Sequence, residues 1–183
     1  MTDRIDLAGK RILVTGGTTG IGLATVAQLV RQGARVLTFG RHQDSLDNAL
    51  EQARSGPGTV DGIVADAATK EGIDTVFEHM DETLGGIDIL VTSAALGAQP
   101  VHEMEEDSWR YVVETNLIGT LASARRAILR MDAQGGGTCC SSDRSVPRSR
   151  RSARAFMPRP RQAYKRSRKR FARRSRKKTS RSA

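Results

Sequence analysis

The sequence predicts an α/β fold: a doubly wound parallel sheet, incomplete after its fourth or fifth strand, followed by a basic tail. Three observations predict it. Short apolar runs alternate with segments of helical period from Arg11 to Met131. A glycine-rich turn joins the first run to the first helical segment. The composition then breaks at Gly137. Residues 1–137 hold all 18 glycines, every Ile and Leu, and 19 of the 20 acidic residues. Residues 138–183 hold 18 of the 30 Lys and Arg, a single acid (Asp143), and no Gly, Ile, Leu or Glu. Net charge is −7 before the break and +17 after it. Two units follow: a nucleotide-binding domain over 1–137, and an Arg/Ser-rich tail over 138–183 with too few apolar residues to build a core, which is expected to be disordered.

Arg11 to Thr15 is an apolar run, read as the first strand. From Ile21 to Arg31 a helix is expected, its face marked by Ile21, Ala24, Thr25, Gln28 and Leu29, with Gly33 as its stop. Arg35 to Phe39 is a second strand, and Gln43 to Arg54 a helix with Leu46, Ala49 and Leu50 on one face. Ser55-Gly56-Pro57-Gly58 is a loop before a third strand, Thr59 to Ala65. Thr69 is placed to cap a helix reaching Thr83, with Ile73, Val76, Phe77 and Met80 facing the core and Leu84-Gly85-Gly86 closing it. Ile87 to Val91 is the fourth strand. Asp107 or Ser108 is expected to cap one long helix from about Trp109 to Met131. Strands alternating with helices in this way predict right-handed crossovers and a ligand crevice at the carboxyl ends of the strands.

The chemistry is carried by Thr15-Gly16-Gly17-Thr18-Thr19-Gly20-Ile21-Gly22, between the first strand and the first helix. Gly16 permits a tight turn out of the strand, Gly20 lets backbone approach a phosphate, and Gly22 lets the helix pack against the sheet. The helix start then offers free N–H groups and a positive dipole end to a pyrophosphate, through Thr18, Thr19, Gly20 and Ile21. The expected architecture is therefore Rossmann-type.

The spacing T-G-x-x-x-G-I-G resembles the classical short-chain dehydrogenase/reductase family. Asp66 resembles that family's adenine-contacting acid, with Ala67 beside it, although an Asp ahead of a helix also suits a simple cap. Thr115-Asn116-Leu117-Ile118-Gly119 is similar to the family's mid-helix Asn motif, and Trp109 to the packing Trp before it. One departure stands out: where the family carries N-N-A-G after the fourth strand, this chain has Thr92-Ser93-Ala94-Ala95, leaving Ser93 and Ala94 as the expected cofactor contacts. The resemblance implies hydride transfer between a nicotinamide and a small carbonyl or alcohol substrate, and common assembly into homo-oligomers. The second strand ends in Thr38-Phe39-Gly40-Arg41 with no acid before Asp44, so Arg41 can meet a ribose 2′-phosphate and NADP is favoured over NAD.

The resemblance also implies a Ser and a Tyr-x-x-x-Lys motif, in which the Lys cation lowers the Tyr pKa. Of the implied catalytic set, only Asn116 is present. Tyr164 is followed by Arg168 four residues on, and an Arg does not replace that Lys. Ser141 and Ser142 lie 23 and 22 residues before Tyr164, a spacing unlike the family's. A neighbouring reading frame offers an explanation. Triplets begun one base earlier over Ala155 to Tyr164 permit V-Y-A-A-T-K-A-G-V, and the triplet straddling Asp143 and Arg144 permits a Ser 13 positions before that Tyr and 27 after Asn116. A one-base frame change near codons 137–140 is thus expected to have replaced the family's second half. Its cost would be a fourth strand and a long helix with exposed apolar faces, poor stability and aggregation.

Other classes are weaker. The start has no apolar signal region, no run is long enough for a membrane span, and the three His make no metal spacing. Adjacent Cys139 and Cys140 build no disulfide framework, so a reducing, cytoplasmic setting is expected. A +17 segment would bind polyanions, which makes a non-catalytic dinucleotide-binding protein with a polyanion-binding tail the alternative. No nucleic-acid module is recognised, so nucleic acid is not the expected partner.

Overall fold

The computed structural model describes residues 6–141. Ten regular elements alternate: β1 (Arg11–Thr15), α1 (Gly20–Arg31), β2 (Arg35–Gly40), α2 (Gln43–Ala53), β3 (Thr59–Val64), α3 (Lys70–Leu84), β4 (Ile89–Thr92), α4 (Glu106–Val113), α5 (Gly119–Ala133) and β5 (Thr138–Ser141). All five strands are parallel, in the order β3-β2-β1-β4-β5. The order reverses between β1 and β4, which opens a crevice at their carboxyl ends. The expected disorder of the tail, with Tyr164 and Ser142, lies outside the described residues.

Side chains alternate across the sheet with the period of two that a strand dictates. Leu13, Leu37, Phe39 and Leu90 point to one face, where Ile73, Val76, Phe77 and Met80 of α3 and Ala127 and Met131 of α5 cover them. Ile12, Val14 and Val36 point to the other, against Val26 and Val30 of α1 and Ala53 of α2. The face expected for α1 is wrong. Its buried residues are Gly22, Val26 and Val30, whereas Ile21 is 63% exposed. Ala24 and Gln28 face solvent, Thr25 turns its hydroxyl back to Ile21 O, and only Leu29 of the expected set packs on the core. Counting polar Thr25 and Gln28 into an apolar stripe rotated it by about one residue.

The α3 face is as expected, with Ile73, Val76, Phe77 and Met80 buried; in α2 Leu46 and Ala49 are buried, while Leu50 is only half-buried and Ala53 completes the face. Thr69 caps α3 by accepting the Gly72 N–H at 3.0 Å, and Gly85 ends it in the left-handed region at φ +72°. The long helix differs. It starts at Glu106 behind Glu105 rather than behind Asp107 or Ser108, and a π-helical stretch, Glu114–Ile118, separates α4 from α5. Trp109 is only half-buried, with the Arg110 guanidinium 4.8 Å above its ring, and α4 buries no residue. Apolar exposure is confined to one of the two expected places. β4 is covered, because β5 pairs along its outer edge and Leu90 is fully buried. Val113, Leu117, Ile118, Leu121 and Leu129 on the helical stretch are exposed.

Candidate cofactor site

A cleft of about 710 Å³ opens at the switch point, and all twelve residues named from the sequence line it: Gly16, Thr18, Thr19, Gly20, Ile21, Gly22, Arg41, Asp66, Ala67, Ser93, Ala94 and Asn116. That volume lies within the range of small-molecule sites.

The glycine loop forms because two positions need φ values that side chains disfavour. Gly16 sits at φ +67° with Ala94 so close that a Cβ would lie 2.6 Å from its Cα. Gly20 sits at φ +52° at the start of α1 with open space above it, room for a ligand to approach backbone. Gly22 has a different reason from the one expected: a Cβ there would land on the Gly16 carbonyl, so it closes the loop on itself rather than on the sheet.

Two buried threonines, missed in the sequence, hold this loop. Thr38 Oγ1 accepts the Gly17 N–H at 3.1 Å and donates to Val14 O at 2.8 Å, tying the loop to β1 and β2. Thr15 Oγ1 accepts the N–H groups of Ser93 and Ala94, each at 3.0 Å. That fixes the turn after β4 without the family's asparagines. Their only sequence signal was a hydroxyl at or near the end of an otherwise apolar strand.

Asn116 lies in the π-helical stretch, where the extra residue per turn directs it at the loop after β4. Its Oδ1 accepts the Leu96 N–H at 2.7 Å and its Nδ2 donates to Leu96 O at 2.9 Å. Thr115 beside it also lines the cleft; its hydroxyl is buried and has no hydrogen-bond partner among the described residues. Ser141, at the end of β5, reaches the same cleft, although its sequence spacing had set it aside. Asp66 does not cap α3, whose cap is Thr69; its Oδ1 accepts the Ala68 N–H at 2.8 Å and its Oδ2 accepts from the Tyr111 hydroxyl at 2.6 Å. Arg41 is not a free loop cation, since its Nη1 donates to Tyr111 Oη at 2.8 Å.

Residues 10–142 match the family described as short chain dehydrogenase. The chain belongs to that family. Among curated members it is similar to the NADP-dependent (R)-specific alcohol dehydrogenase of Lentilactobacillus kefiri, 34% identical over 75% of this chain and 54% of that protein. Among solved structures it is similar to the L-sorbose reductase of Gluconobacter frateurii complexed with NADPH and L-sorbose, at 30% identity and TM-score 0.69 over 75% of this chain and 54% of that one. A short-chain type dehydrogenase/reductase from Mycobacterium marinum gives 31% identity and TM-score 0.68 over 74% of this chain and 56% of that one. The chain thus spans about half the length of these family members. No helix among the described residues is long and apolar enough to cross a membrane.

Proposed function

We propose that residues 1–137 are an NAD(P)-binding domain of an oxidoreductase that interconverts a small carbonyl compound and its alcohol. The observation that carries this reading is the glycine loop, held by Thr15 and Thr38 and left open above Gly20 at the mouth of the cleft. When bound, the nicotinamide supplies or accepts the hydride. The chain's own residues bind and orient. The loop N–H groups at Thr18 to Gly22 take the pyrophosphate at the start of α1. Asp66 and Ala67 flank the adenosine end, and Ser93 and Ala94 lie against the far side of the loop. Arg41 favours NADP, because a guanidinium matches a phosphate and no acid stands at the end of β2 to take a ribose 2′-OH. The buried hydroxyl of Thr115, without a hydrogen-bond partner among the described residues, supports a polar ligand here, since such a group is costly unless something pairs with it.

The same reading extends to the chain's two-part composition. Residues 138–183 are proposed to be a frame-changed replacement for the family's second half, which leaves this chain a binder of cofactor without the Ser and Tyr-x-x-x-Lys chemistry. Resequencing the gene across codons 130–183 tests this. The neighbouring frame is expected to run on with Tyr-x-x-x-Lys intact. Stops in that frame, with the written frame confirmed, would make the basic tail a genuine segment and turn attention to polyanion binding.

A further inference from the structure

Three polar side chains meet beside the cleft, two of which, Arg41 and Asp66, line it. Arg41 leaves the end of β2 beside Gly40, whose missing side chain lets Thr18 of the glycine loop sit against it. Asp66 follows β3 and is fixed by the Ala68 N–H. Tyr111 comes from α4 and stands between them. Its hydroxyl accepts from Arg41 Nη1 at 2.8 Å and donates to Asp66 Oδ2 at 2.6 Å. The Arg41 guanidinium also lies 5.4 Å from the centre of the Tyr111 ring, within cation–π range. Burial and the neighbouring carboxylate both push the Tyr111 hydroxyl above its ordinary pKa, so it stays protonated and keeps donating at neutral pH.

We propose that Tyr111 is a specificity-determining positioning residue: it holds Arg41 ready for a phosphate on the adenosine ribose. This rests on the reading of Arg41 given above. A guanidinium carries five N–H donors. Among the described residues Arg41 commits only Nη1, and commits it to a neutral hydroxyl. A direct Arg41–Asp66 pair would instead set a phosphate in competition with a carboxylate. The hydroxyl spacer therefore fixes the side chain and leaves its remaining donors for the ligand. Arg41 is otherwise exposed on a long stem, and ordering such a side chain weakens binding unless it is ordered beforehand. NADP, which carries that phosphate, gains from this; NAD does not.

The test is calorimetric titration of the full-length chain with adenosine 2′,5′-bisphosphate and with AMP, which lacks the 2′-phosphate. Tyr111→Phe keeps the ring and removes the hydroxyl. It is expected to weaken the bisphosphate about two- to tenfold and to leave AMP within about twofold. Tyr111→Leu, which also removes the ring, should weaken it further, and Tyr111→Phe should add nothing in an Arg41→Ala background. Thermal melts accompany each variant. Unchanged bisphosphate binding, or equal weakening of both ligands, overturns the proposal. If Arg41→Ala abolishes the bisphosphate preference while Tyr111→Phe keeps it, Tyr111 alone is misread. If the parent chain shows no preference and Arg41→Ala alters neither ligand, the reading of Arg41 has failed and takes this proposal with it.

Discussion

Thr115 is buried in the lining of the cleft, and its hydroxyl has no hydrogen-bond partner among the described residues. Its isosteric replacement by Val removes an unsatisfied group and adds none. Thr115→Val should therefore melt at the same temperature or a few degrees higher, while its NADPH affinity falls about fivefold. A lower melting temperature with unchanged affinity would mean that the hydroxyl serves the fold instead. At this scale the sequence was most legible where backbone geometry dictates the residue. Gly16 and Gly20 were named because a turn and a close approach demand them, and Arg41 because its charge suits a phosphate. The tethering roles of Thr15, Thr38 and Tyr111 are not legible there. Their roles depend on partners 78, 21 and 45 residues away in sequence, and no local pattern encodes those distances.

The elements were legible wherever the apolar period was clean, as in α3 with its cap at Thr69 and its stop at Gly85. The α1 face was misread because polar residues were counted into it. The long helix was misread because a π-helical stretch shifts the face by one residue without any Pro or Gly inside it to signal the change. One contact at this scale joins three elements. Arg11 of β1 donates from Nε and Nη2 to both oxygens of Asp88, just ahead of β4, and from Nη2 to Gln134 beyond α5. The Arg11 guanidinium holds the Asp88 carboxyl below the usual carboxylate range. A carboxyl depressed in the folded state contributes stability above its unfolded pKa, near 4, and loses it as pH falls through the folded value. Asp88→Asn should cost about 1–2 kcal/mol at pH 7. The gap to the parent should close in denaturant melts below about pH 4; a gap that persists there would mean packing, not charge, is at stake.

At the scale of the whole molecule, the described residues form a five-stranded sheet covered on both faces, yet the π-helical stretch exposes Leu117 at 54% and α5 exposes Leu121 at 58%. Exposed apolar groups arrayed along one helical stretch are a liability in a monomer. The composition break at Gly137 falls just before β5, so the last strand, Thr138–Ser141, is the only described element built from the tail's composition. Residues 1–137 are proposed to hold a working NADP site. The most direct measurement is a calorimetric titration of the full-length chain with NADPH, beside Gly22→Ala, whose Cβ would land on the Gly16 carbonyl. One saturable site is expected, with a melting temperature that rises with NADPH and loss of binding in a Gly22→Ala protein that still melts cooperatively. A folded parent chain that takes up no NADPH, or binding that survives the substitution unchanged, would contradict it.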